Sequence, residues 1–184
     1  MAITINGSTG ITSSEIADGT IVNADINSSA AIAQSKTASL VGGDLPTGSV
    51  LQVVSNTLTT VGTTTSSTMA ALGLSQAITP SSTSSKVYAL VTGGCARNQH
   101  DVGTVFTIYR GSTDLNTGTT GMVVTYQAGA TNIGASWSMQ ELDSPSTTSA
   151  TTYSVYWRTR DNGNTSQNNW LGGETTLTLM EIAG

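Results

Sequence analysis

Residues able to do covalent chemistry are few in this chain of 184 residues. Cys95, His100 and Asp101 are the residue types of a thiol nucleophile with its base and orienting acid. Their spacing argues against that use. Cys95 and His100 stand five apart on or near one strand, which turns their side chains to opposite faces, and nothing nearby marks an oxyanion site. Cys95 reads instead as a small buried hydrophobe, and as the lone cysteine it excludes an intrachain disulfide. His100 reads as a loop histidine, although three copies meeting on a three-fold axis could hold an ion. Glu141 and Asp143 are the paired carboxylates that glycoside hydrolysis requires. They share one strand face, and at a strand end they read as solvated side chains. Asp161-Asn162-Gly163-Asn164 lacks the alternating acidic ligands and distal Glu of a calcium loop, and reads as a turn. The expectation is no catalytic set, no metal site and no cofactor.

Binding has better material. The segments 96–103 and 161–170 are polar and amide-rich, and they hold Arg97, Asn98, His100, Asn168, Asn169 and Trp170. An aromatic ring packs on the apolar face of a sugar while amides pair with its hydroxyls. These six are the candidate receptor-binding residues. The other reading of Trp170 is an aromatic of the core or of a subunit interface.

The elements that must position these loops are strands. Charged residues are 9% and aromatics 5% of the chain, and Ser and Thr make up nearly a third. Such a composition disfavours helices and suits strands and turns. From residue 49 onward the text is strand–turn–strand. Val50–Val54 opens it, and 57–68 is extended strand or loop. Met69–Ile78 is followed by a polar turn over Thr79–Ser85. Lys86–Val91 shows little alternation, which predicts a central strand covered on both faces. Thr104–Arg110 sets Val105, Thr107 and Tyr109 against Phe106 and Ile108. Met122–Gln127 and Ala135–Leu142 come next. Tyr153–Arg160 puts Tyr153, Val155 and Trp157 on one face, and Thr175–Ile182 ends the run. About eight closely spaced strands predict an antiparallel β-sandwich or jelly roll.

The first 48 residues differ. Ala2–Asn6 alternates like a short extended arm. Ile11, Ile16, Ile21 and Ile26 then recur every five residues, with Ile32 near the next beat. That period fits neither one helix face nor one strand face. It suits a regularly turning chain that shows one apolar residue per step to an axis shared with other copies. Ile11, Ile16, Ile21, Ile26 and Ile32 are therefore the expected trimerisation residues. Ser28 or Ser29 can cap a short helix through Ala30, Ala31 and Ala33 within 28–38. The Gly-Gly-Asp-Leu-Pro-Thr-Gly stretch at 42–48 marks the boundary. The reading is an attachment arm at 1–10, a shaft with one short helix at 11–48, and a head at 49–184.

Net charge is −5 and no Lys/Arg cluster exists, so nucleic acid is not an expected partner. No apolar run would span a bilayer, and MAITINGSTG has neither the basic nor the apolar part of an export signal. Neither membrane nor secretory passage is expected.

Several of these stretches resemble a known family. Ile16-Ala17-Asp18-Gly19-Thr20-Ile21-Val22-Asn23-Ala24-Asp25-Ile26 is similar to shaft segments in fibre proteins of tailed bacteriophages of the marine and cyanophage type, and Met1–Gly7 to their N-termini. Ile78-Thr79-Pro80-Ser81-Ser82, Tyr109-Arg110-Gly111-Ser112-Thr113, Leu142-Asp143-Ser144-Pro145 and the terminal Met180-Glu181-Ile182-Ala183-Gly184 resemble their globular β-domain. The resemblance implies a homotrimeric virion appendage assembled in the host cytoplasm. Its N-terminus would hold other virion proteins, and its head would point outward to a host surface glycan or protein. A capsid-mounted head fibre or decoration protein without a receptor role is the alternative, and a tail-associated depolymerase is a third class.

Overall fold

In the computed structural model of the protein, the described residues are 45–98, 102–126, 128–129, 133–160 and 164–184. The arm at 1–10, the Ile11, Ile16, Ile21, Ile26 and Ile32 beat, the short helix within 28–38 and His100 lie outside them.

The described chain is all-β and forms two antiparallel sheets packed face to face. Eight strands build the frame: β1 (Val50–Leu58), β3 (Ala70–Ile78), β4 (Lys86–Asn98), β5 (Gly103–Arg110), β7 (Val123–Tyr126), β8 (Ile133–Asp143), β9 (Thr151–Thr159) and β11 (Thr175–Ile182). One sheet runs β1-β11-β4-β8 and the other β3-β9-β5-β7. Except for the β5–β7 pair, successive frame strands change sheets, and the order is that of a jelly roll. Three short strands extend it. β2 (Gly62–Thr64) and β10 (Ser166–Asn168) continue the first sheet beside the far half of β4, and β6 (Thr113–Asp114) pairs with the end of β5.

Alternation explains which side of each strand faces in. In β9, Tyr153, Val155 and Trp157 are buried, and in β11 so are Leu177 and Leu179. They meet Leu74, Ile78, Val87, Val91, Phe106 and Ile108 in one core. Each large apolar side chain fully buried there contributes about 1.5–3 kcal/mol. Phe106 of one sheet stacks on Trp137 of the other, with ring centroids 3.8 Å apart. The indole fits because its partner across the ladder is Gly93: a Cβ there would stand 2.1 Å from the ring.

Two strands exchange their expected roles. β4 is central, as its apolar run suggests, but it is covered on one face only. Val87, Ala89 and Val91 are buried, while Tyr88 and Leu90 lie half-buried on the outer surface. The strand covered on both faces is β5, where every residue from Gly103 to Ile108 is buried. The alternation in β5 does not mark a solvated side, because the chain before β7 crosses it: Gly121 sits so close that a Cβ would stand 2.3 Å from Cγ1 of Val105. Thr107 is satisfied on that side by donating to Asp114 Oδ1 at 2.7 Å.

The strands give the sandwich two distinct ends. At one end, the proximal end, the residues before β1 are laced to the C-terminus. Gly48 N–H donates to the Ala183 carbonyl and Ala183 N–H to that of Ser49, each at 2.8 Å. Two polar clusters lock the same end. Arg110 Nη1 donates to both carboxylate oxygens of Asp143 at 2.7 Å, and the Tyr153 hydroxyl donates to Asp143 Oδ2 at 2.6 Å. Burial, and then the hydrogen bond to Asp143, push the Tyr153 hydroxyl pKa well up, so it stays a donor. Because β8 belongs to one sheet and β5 and β9 to the other, this cluster clamps the sheets together.

The second cluster surrounds Glu181, a carboxylate buried in the inner row of β11. It accepts from Gln52 Nε2 at 2.6 Å, and from the Ser81 N–H and hydroxyl at 2.7 Å each. Burial alone would raise its pKa, but the hydrogen bonds outweigh burial and hold it below the usual 4.5. A carboxylate depressed in the folded state binds fewer protons there than when unfolded, so it stabilises above the unfolded pKa. That contribution is lost as pH falls through the folded value. Glu181→Gln should therefore cost roughly 1–3 kcal/mol at pH 7. It should also flatten the acid limb of the stability curve below pH 4.5, as read by thermal melts across that range.

Candidate distal binding surface

The far end of β4, about 35 Å from Lys86 at the strand rise of ~3.3 Å per residue, carries the described parts of the two segments singled out in the sequence; residues 99–101 and 161–163 of them lie outside the described residues. β10 lies between β4 and β2, so Thr63, Gln167, Arg97 and Gly134 line up across four strands. On the outer side of this row Arg97 Nη1 donates to Gln167 Oε1 at 2.6 Å. Gln167 Nε2 reaches Thr63 Oγ1 at 3.4 Å. The guanidinium carbon of Arg97 lies 5.3 Å from the centre of the Trp170 ring, a cation–π contact.

Trp170 is seated by an absence. A Cβ on Gly134 would stand 3.0 Å from the indole and 2.5 Å from Cys95 Sγ, so a side chain there would displace one or both. The tight turn Trp170–Gly172 then presents Leu171, which is 80% exposed. Leu171 has φ +59° and Asn169 φ +57°, left-handed values that Asn tolerates and a branched apolar residue does not favour. A strained and exposed leucine beside a tryptophan is an arrangement folding alone does not call for.

The sequence candidates separate into two groups. Arg97 and Trp170, from different segments, come together. Asn168 and Asn169 do not join them at the surface. Both are fully buried, a correction to their expected role as ligand contacts. Asn169 Nδ2 donates to the carbonyls of Leu58 at 2.7 Å and Thr60 at 3.1 Å, and its Oδ1 accepts from Thr175 Oγ1 at 2.7 Å. Asn168 Nδ2 donates to the same Thr175 hydroxyl at 2.9 Å. These amides brace the turn that lifts Trp170 and Leu171. Asn98 ends β4.

Two further residues at this end escape the sequence reading. The Arg160 guanidinium carbon lies 4.7 Å from the centre of the Tyr126 ring, and Tyr126 is 50% exposed. Arg160 N–H donates to the Gly103 carbonyl at 2.7 Å and Tyr126 pairs with Gly103, which places them on the second sheet at the same end. The distal end thus offers an arginine over an aromatic ring on each sheet. The chain has six basic residues in all; at this end Arg97 lies one residue before the end of β4 and Arg160 directly follows β9.

The remaining chemical candidates are placed as follows. Cys95 is half-buried on the outer side of β4 rather than in the core, because the register slip between Gly93 and Ala96 carries it outward. Asp143 is held by Arg110 and Tyr153 and is not a solvated carboxylate. Among the described residues no three His, Cys, Asp or Glu side chains gather as metal ligands. No described helix is long and apolar enough to cross a membrane. An open groove of about 510 Å³ between β7 and β8 is lined by uncharged residues, among them Thr92, Val124, Ser136 and Trp137.

No family model matches the chain and no curated protein matches it. Among solved structures it is similar to one described as the structure of infectious bursal disease virus Gx strain, with a TM-score of 0.36 and 17% identity. The match covers 74% of this chain and 34% of the other, so this chain spans about a third of that one. The jelly-roll assignment rests on the strand order above.

Proposed function

We propose that this chain is a structural virion protein of a tailed bacteriophage, a homotrimeric fibre or spike that adheres to the host surface through the distal end of its β-sandwich. One observation carries the reading. Gly48 and Ser49, just before β1, are bonded to Ala183 at one end of the first sheet, and the Arg97–Trp170–Leu171 surface stands at the opposite end. A protein held by its N-terminal segment would present that surface outward. The five-residue Ile beat before Leu45 supports trimerisation, and the resemblance to phage shaft segments supports the setting. Aromatic rings topped by guanidinium groups, beside amides such as Gln167, suit a glycan whose apolar faces stack and whose hydroxyls accept.

The protein acts by binding rather than catalysis in this reading. Of the two sequence-candidate carboxylates, Asp143 is held in the Arg110–Tyr153 clamp. The experiment is a competition. Fluorescently labelled full-length protein should bind host cells saturably and block phage adsorption in proportion to its occupancy. Binding absent at concentrations where the protein is trimeric would replace adhesion with the capsid-mounted role. Release of oligosaccharide from host capsule would replace it with a depolymerase.

A further inference from the structure

The outer face of the first sheet is apolar where it should be polar. In a sandwich that face normally alternates to polar residues. Here Val53, Met180, Tyr88 and Leu142 stand in register across all four strands β1, β11, β4 and β8. Val53 is 55% exposed and Leu142 50%, while Met180 and Tyr88 are half-buried between them. Val50 and Ile182 lie on one side of this row and Leu90 on the other. Toward the distal end the face turns to Ser and Thr, with Thr57, Thr176, Thr92 and Ser138 in one row.

We propose that this face is where a second copy of the chain docks, sheet against sheet, at the proximal end of the sandwich. Charge points to a copy of itself. The chain carries a net charge of −5, yet no acidic residue lies in these rows. Glu181 and Asp143 point to the other side, and Lys86 at the margin is the only ion. Two acidic chains can approach closely only over a face cleared of acids. Size agrees. Four strands at ~4.8 Å and the apolar and Ser/Thr rows cover a flat area about 20 Å wide and 25 Å long, of the order that one side of a specific interface needs. Position agrees as well, since the apolar rows lie beside Val50, the first residue of β1, next in sequence to the segment expected to trimerise. The segment 11–32 of the same chain suits this face less. It has one Ile in five and carries Glu15, Asp18 and Asp25, whereas a matching row on a second copy is as wide and as uncharged.

The stoichiometry rests on the homotrimer reading; the face does not. The test is thiol protection in full-length protein. Val53→Cys or Leu142→Cys is made in a Cys95→Ser background, with Ala71→Cys on the outer face of the other sheet as control. Maleimide labelling is followed across a dilution series while mass is read by sedimentation. Cys at 53 and 142 should react roughly tenfold or more slowly in the assembled protein and regain the control rate on dissociation. Labelling at the control rate while the protein sediments as a trimer overturns the docking face and leaves the trimer standing. A monomer at every concentration overturns both. Slow labelling that ignores dilution overturns it too, since the face would then be covered from within the chain.

Discussion

Replacing Ile21 by Asn should dissociate the assembled protein at micromolar concentration. Ile21 is the third beat of the five-residue repeat. A buried Ile contributes roughly 2 kcal/mol, and a homotrimer loses three at once, about 6 kcal/mol for the assembly. At 1.4 kcal/mol per tenfold this is a loss of about four orders of magnitude in affinity, before the cost of burying three amides is added. Sedimentation of the full chain is the measurement. The head should keep its thermal transition, because the sandwich encloses a core of its own around Phe106, Trp137 and Trp157. An unchanged trimer would mean that the repeat does not hold the copies together, and the apolar face of β1, β11, β4 and β8 would then be left to do so.

Trp170→Ala should reduce host adsorption about thirtyfold, the effect of losing a binding residue worth ~2 kcal/mol. Oligomeric state and melting temperature should change little, since Trp170 lies on the outer side of the sheet against Arg97 and Gly134 and is not part of the core. Asn169→Ala separates contact from support. It removes hydrogen bonds to the Leu58 and Thr60 carbonyls and to Thr175 Oγ1, and should lower adsorption together with stability. If Trp170→Ala instead dissolved the trimer, Trp170 would be an interface residue and the distal surface would lose its anchor.

The fold was legible because alternation is strong where one face is solvated. Tyr153, Val155 and Trp157 in β9, and Trp137 and Met139 in β8, point inward as their spacing requires. Reading failed where burial is decided by another segment. Nothing in Thr104–Arg110 announces that the chain around Gly121 will cover its outer side. The unbroken Val87–Val91 run reads as doubly covered, when its outer residues Tyr88 and Leu90 belong to an exposed apolar face. At the distal end, composition identified the loops but not the direction of each side chain. Arg97 and Trp170 meet because β10 pairs with β4, a long-range register no local pattern encodes. Asn168 is turned inward by the alternation of β10, and Asn169 by its own left-handed conformation. Leu171 itself, in Trp-Leu-Gly-Gly, gives no sign in sequence that it will be held out in solvent.

If, as proposed, this chain is a virion appendage, it displays the distal end of its sandwich at the particle surface. Immunogold labelling of intact particles, with antibodies raised separately against 1–10 and against the Trp170–Gly172 turn, decides this. Label from the turn antibody should stand at the outer tips of projections, with none from the 1–10 antibody until particles are disrupted. Particles that carry neither label, in a preparation where both antibodies recognise the purified protein, would contradict it.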